Sequence, residues 1–198
     1  MIQFKRSKEE QENMKTLVIH PSDRSTDFLK IIYERHLNDK DWTILNESDT
    51  LTSEELKSLI KQHDRIIMMG HGIPSGLINP GRAFQNMRMF VIDDSFAKLL
   101  KTKDTVSIWC WSDQYFRKHK IKGLHTGMII SEVREASFAI GNTPLDEKQT
   151  LENMEMFARA FRDCIDNTDP YEMRKYVLEH YIGEDEVTQF NRKNVIVL

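Results

Sequence analysis

Short apolar runs alternate with amphipathic stretches through the first two thirds of the chain. Thr16-Leu17-Val18-Ile19-His20 is rich in β-branched residues and closed by Pro21, which predicts a first strand. Phe28, Leu29, Ile32 and His36 follow at helical spacing, with several capping residues between Ser22 and Thr26. Trp42–Leu45 predicts a second strand. Thr52-Ser53-Glu54-Glu55 is a capping box ahead of a helix carrying Leu56, Leu59 and Ile60. Ile66–Met69 is apolar without alternation, as expected of a strand covered on both faces.

A Gly-, Pro- and Asn-rich stretch over 73–81 predicts a loop or hairpin, and 88–92 a small strand. Asp94 is placed to cap a short helix through Leu100. Val106–Trp109 is the fourth main strand, Ser112–Lys120 a helix, Met128–Ile130 a fifth strand and Glu132–Ala139 a helix. Asp146–Asp166 is the longest helix, its expected stripe holding Leu151, Met154, Phe157, Phe161, Cys164 and Ile165. Asp169-Pro170 opens another, carrying Met173, Val177 and Tyr181, and Asn194–Leu198 is a last strand or tail.

This order predicts an α/β fold with a mainly parallel sheet and helices on both faces over 16–140, followed by a C-terminal helical portion over 146–182. All 198 residues are expected to form a single domain, with 1–14 as a loose, charged arm. The composition, 30% charged and 39% hydrophobic, is that of a globular chain with a core of its own. A net charge of -3 gives no reason to expect nucleic acid or an anionic membrane as partner. There is no run long enough to span a bilayer and no apolar leader at the start, so a cytoplasmic protein is expected. Two cysteines, Cys110 and Cys164, are too few for a disulfide scaffold and predict reduced thiols.

In a parallel sheet, sites gather at the carboxyl ends of strands. Two such ends carry reactive side chains: Gly70-His71-Gly72 after the third strand, and Cys110 after the fourth. A histidine within reach of a thiol can take its proton and return it to a leaving group. Gly72, lacking a Cβ, can bring its N–H close to a developing oxyanion, and the N–H of Cys110 is a natural second donor.

An apolar strand, His-Gly, a loop of tens of residues, an apolar strand and Cys resembles the caspase-like cysteine peptidases, which include caspases, metacaspases, legumain, gingipain, clostripain and separase. In caspases the histidine stands roughly 50 residues before the cysteine; here the spacing is 39. The stretch Gly70-His71-Gly72-Ile73-Pro74-Ser75-Gly76-Leu77 is similar to the family's turn after the histidine strand. The similarity covers about residues 16–140. It implies a three-layer caspase-like fold and a peptidase with Cys110 as nucleophile, His71 as base and Gly72 in the oxyanion hole. It also implies a protein or peptide substrate and no cofactor.

The chain departs from the family beside the cysteine. Trp109 occupies a position that is usually small, Trp111 follows, and Ile108 stands where basic-specific members carry an acid. Substrate contacts are expected partly from Thr126–Ser131 and from Glu132, Glu135 and Asp113. For the glutamates the competing expectation is a solvated first helical turn, and for Asp113 a helix cap. Arg117–Lys120 with Lys122 reads as a solvated helix face. No CxxC, HExxH, GxGxxG, P-loop or GxSxG pattern occurs, and no metal site is expected, a zinc on Cys110, His119 and His125 included. Two readings compete with the peptidase: a catalytically inactive caspase-like binding or regulatory module, and a flavodoxin-like ligand-binding domain using the same crevice.

Overall fold

Two faces of one sheet divide the apolar residues between them, and that division follows from the pattern within the strands. The structure, a computed structural model, describes residues 14–21, 23–46, 51–83 and 89–198. The expected N-terminal arm lies outside the described residues except at Met14.

Strands β1 (Thr16–Ile19), β2 (Trp42–Leu45), β3 (Arg65–Met69), β7 (Asp104–Ile108), β8 (Leu124–Thr126) and β9 (Val195–Val197) form a six-stranded sheet in the order β2-β1-β3-β7-β8-β9. The first five are parallel and β9 runs antiparallel to β8. Strands β4 (His71–Ile73), β5 (Gly76–Ile78) and β6 (Phe90–Ile92) make a separate antiparallel sheet. The helices are α1 (Ser53–Gln62), α2 (Pro80–Ala83), α3 (Ala97–Leu100), α4 (Ser112–His119), α5 (Val133–Ile140), α6 (Glu147–Arg162), α7 (Pro170–His180) and α8 (Glu186–Lys193).

Successive strand residues point to opposite faces. Val18, Ile67, Met69, Val106 and Ile108 pack with Met154, Phe157 and Phe161 of α6 and Met173 and Val177 of α7. Leu17, Ile19, Ile66 and Met68 pack with Leu56 and Ile60 of α1, Leu100 of α3 and Tyr115 and Phe116 of α4. The unbroken apolar run of β3 is thus buried on both sides, as its sequence predicts. The fold is α/β with helices on both faces of a mainly parallel sheet. Among the described residues, no helix is long and apolar enough to cross a membrane.

Local signals account for several helix starts. Thr52 and Glu55 form the expected capping box on α1, and Asp146 caps α6 by accepting from the Gln149 N–H. Four details differ from the sequence expectation. The helix after β1 is a 3-10 helix, Asp27–Ile32. The fifth parallel strand is Leu124–Thr126, and Ile129 and Ile130 are buried in the segment beyond it, so burial rather than pairing explains their apolarity. Leu151 is 53% exposed and lies off the buried stripe of α6. Helix α8 has no counterpart in the expectation: Val187, Thr188 and Asn191 are its inward positions, and two polar residues do not register as core.

Asn191 acts as a clamp. Its side chain accepts from the Ile130 N–H at 2.8 Å and donates to the Ile130 carbonyl at 3.0 Å, both buried. The segment leaving β8 thereby obtains the backbone partners that a missing strand neighbour would have supplied. Asn191→Ala leaves both groups unsatisfied and is expected to destabilise by about 2 kcal/mol, measurable as a lower midpoint in urea with unchanged slope.

Candidate functional site

The site sits where β1, β3 and β7 end. Strand β3 pairs with β7 in parallel with Met69 opposite Ile108, and the Gly70 N–H extends the ladder to the Ile108 carbonyl at 3.1 Å. His71 and Cys110 each stand two residues past that Met69–Ile108 rung, on the same edge of the sheet.

Alternation beyond β7 sorts the two tryptophans away from the thiol. Ile108 faces the α6 side, Trp109 the α4 side, and Cys110 packs again on the α6 side. Trp109 is 1% exposed and lies among Tyr115 and Phe116, with ring centroids at 6.1 and 5.5 Å. Its indole covers Gly72: a Cβ added there would stand 1.9 Å from Trp109 Cδ1. Gly72 is therefore a glycine for a packing reason, whatever its N–H does.

The chain then turns sharply. Trp111 adopts φ 62, ψ 26, a left-handed conformation unusual for a bulky residue. Its N–H donates to the Gly127 carbonyl at 3.1 Å. Buried Ser112 donates to the Thr126 carbonyl at 2.8 Å and accepts from the Thr126 N–H at 2.9 Å, while the Thr126 hydroxyl donates to the Trp109 carbonyl at 2.9 Å. These bonds hold the strained turn and fix Cys110 between β7 and α4.

Cys110 is half-buried, and its Sγ donates to the Ile129 carbonyl at 3.5 Å. Burial pushes the thiol up to about 11, and the nearby negative charge of Glu135 adds to the shift. In this arrangement the sulfur is a protonated thiol.

His71 is engaged on one nitrogen. Its Nε2 lies 2.9 Å from Asp23 Oδ2 and 2.8 Å from Ser25 Oγ, both in the turn that follows β1. Asp23 Oδ1 accepts from the Ser25 N–H and hydroxyl, each at 2.9 Å, and from the Thr26 N–H at 3.1 Å. Partial burial alone would raise the Asp23 carboxyl. The bonds from Ser25 and Thr26 and the charge of His71 outweigh it, so Asp23 is held below the usual carboxylate range. An ionised carboxylate only accepts, so Nε2 carries the proton, and in the neutral ring Nδ1 is the acceptor. No hydrogen bond joins His71 to Cys110 as the two side chains stand.

Asp23 and Ser25 have no place among the sequence-derived site residues, where 22–26 figured only as helix caps. The signal that identifies them is topological: β1 pairs with β3, so polar residues after β1 fall beside whatever follows β3. Glu135 closes the first turn of α5, accepting from the Ser131 N–H at 2.7 Å, the Ser131 hydroxyl at 3.0 Å and the Glu132 N–H at 3.1 Å. Glu132 is the exposed residue before that helix. Asp113 is the second residue of α4, with Oδ2 3.5 Å from Arg117 Nε and Oδ1 buried without a hydrogen-bond partner.

The two histidines weighed with Cys110 as zinc ligands are used elsewhere. His119 pairs with Asp94 at 2.8 Å. His125 is fully buried, 2.7 Å from Ser107 Oγ and stacked on Phe116, and burial pushes it down to about 3. Among the described residues, no group of three or more His, Cys, Asp or Glu is placed to hold a metal ion.

Comparison with protein-family models, with curated proteins and with solved structures gives no match. The functional reading therefore rests on the site itself.

Proposed function

We propose that the chain is a cysteine peptidase of caspase-like type. The observation that carries this reading is the β3–β7 register, which sets His71 and Cys110 two residues past one rung at the carboxyl edge. The bonding of His71 agrees with it: Asp23 occupies Nε2 and leaves Nδ1 to receive a proton.

In the proposed reaction the Cys110 sulfur leaves the Ile129 carbonyl and gives its proton to His71 Nδ1. It forms a C–S bond to the scissile carbonyl while the carbonyl π pair moves onto oxygen. The N–H groups of Gly72 and Cys110 donate to that oxyanion. Collapse breaks the C–N bond, and His71 returns the proton to the leaving amine. Water, deprotonated by the same nitrogen, then hydrolyses the thioester. Asp23 holds the ring in the productive tautomer and balances the imidazolium that forms.

A second reading has an observation of its own. The thiol, bonded to a backbone carbonyl and raised by burial, is the resting state of an unreactive cysteine, which favours a non-catalytic module of the same fold. Alkylation of the intact chain by iodoacetamide, read by mass spectrometry from pH 5 to 10, separates the two. A solitary thiol with a pKa above the range is labelled about tenfold faster per pH unit throughout. Cooperation with His71 is expected to add a labelling phase near neutrality, lost in His71→Ala, with Cys110 modified before Cys164. A wild-type profile that superimposes on that of His71→Ala leaves the non-catalytic reading standing.

A further inference from the structure

The segment that leaves β8 passes the thiol as a strap with both ends on one helix. At its start, the Gly127 N–H donates to the carbonyl of Asn194, just past α8, at 2.8 Å. At its far end, the Asn191 side chain of α8 holds the N–H and the carbonyl of Ile130, at 2.8 and 3.0 Å. Between them the Ile129 carbonyl accepts from Cys110 Sγ at 3.5 Å. The fit at the start is close: a Cβ on Gly127 would stand 2.2 Å from Asn194 Oδ1. The position of α8 therefore sets where the carbonyl meets the sulfur.

Helix α8 is itself pinned by a polar network. Asn191 Nδ2 donates to the Tyr181 hydroxyl at 3.3 Å, and that hydroxyl donates to Asn153 Oδ1 on α6. Asn153 Nδ2 donates to the Thr188 hydroxyl, which in turn donates to Asp185 at the start of α8. Asn153, Tyr181, Thr188 and Asn191 are all buried. In a low-dielectric interior such a network fixes one arrangement of α6, the end of α7 and α8, and resists others. The consequence reaches the thiol. A carbonyl only accepts, so the Ile129 bond exists with the S–H and is lost in the thiolate. While the strap stays in place, this contact opposes transfer of the proton to His71.

We propose that Asn191 is a positioning residue for the nucleophile: through the strap it parks Cys110 on the Ile129 carbonyl, and release of the strap from α8 frees the sulfur for His71. The proposal rests on the peptidase reading for the purpose of the contact, but its test reads thiol chemistry without turnover. The full-length chain is alkylated with iodoacetamide near neutral pH, and mass spectrometry follows Cys110 and Cys164 separately. Asn191→Ala frees one end of the strap, and Tyr181→Phe removes only the hydroxyl that steadies Asn191. Leu56→Ala, on the other face of the sheet, is a control whose loss of stability is comparable or larger.

Asn191→Ala is expected to raise the Cys110 rate about tenfold and to move its pH profile about one pH unit lower, with Cys164 unchanged. Tyr181→Phe is expected to raise it about threefold, and Leu56→Ala to leave the ratio of the two cysteines where wild type has it. Equal gains at both cysteines report unfolding rather than release and overturn the proposal, as does an unchanged Cys110 rate. Should Asn191→Ala fail to fold, Tyr181→Phe decides by the same criteria. A Cys110 gain that persists in the His71→Ala background, with no peptide cleaved by wild type, keeps the parking contact and ends the peptidase reading. Cleavage by wild type with no gain in either variant keeps the peptidase and ends the parking contact.

Discussion

Cys110→Ala is expected to abolish peptide hydrolysis, and His71→Ala to reduce it about a thousandfold or more, against an unchanged fold. Residues that act as one unit are not additive, so the double variant should be no slower than Cys110→Ala alone. Asp23 provides the finer test. It touches neither thiol nor substrate and acts by positioning the ring, and its side chain is 40% exposed, so water can replace part of what it does. Asp23→Asn is expected to cost on the order of 10²-fold in kcat, with KM little changed. The asparagine amide can present an N–H to Nε2 and favour the wrong tautomer. Asp23→Glu, which keeps an acceptor, should recover part of the rate. Steady-state kinetics on a peptide library, with far-UV circular dichroism to confirm folding, read all of this. Full activity in Cys110→Ala would end the peptidase reading; an Asp23→Asn effect confined to KM would reassign Asp23 to substrate binding.

The legible part of this molecule was what repeats. β-branched runs, a capping box and the alternation of strands with helices predicted a mainly parallel sheet and four of its five parallel strands, and the unbroken apolarity of β3 announced its two-sided burial. Strand ends named His71 and Cys110. What stayed hidden depended on which strand lies beside which. Asp23 meets His71 across 48 positions of sequence only because β1 pairs with β3. Asn191 clamps Ile130 from a short helix whose inward face is partly polar. The tryptophans mislead for a related reason: adjacent in sequence to Cys110, both seemed able to crowd it. Period-two alternation sends Trp109 to the opposite face, and beyond the left-handed turn Trp111 lines a groove with Met128, Phe138 and Phe190.

Gly72→Ala is expected to be among the most destabilising single methyl additions in the chain. The new Cβ would stand 1.9, 2.4 and 2.7 Å from three atoms of the Trp109 indole. Contacts this short force one partner to move, and neither has room. The indole is buried against Tyr115 and Phe116, and Gly72 lies in β4, paired with Leu77 of β5. Overpacking of this kind costs about 3 kcal/mol, a fall in Tm of roughly 6–12 °C for a chain of this size. Trp109→Leu removes the ring and loses its buried surface, so it destabilises alone. In that background Gly72→Ala should cost much less, giving a coupling of about 1–3 kcal/mol in a double-mutant cycle followed by urea unfolding. Additive losses would show that the indole is not what excludes a side chain at 72. The cycle also bears on function, because a glycine after the histidine is what an oxyanion hole asks for. Here the indole demands the same residue on steric grounds, so glycine at 72 is no evidence of catalysis. The enzymatic reading rests instead on the β3–β7 register and on the contact of Asp23 with His71.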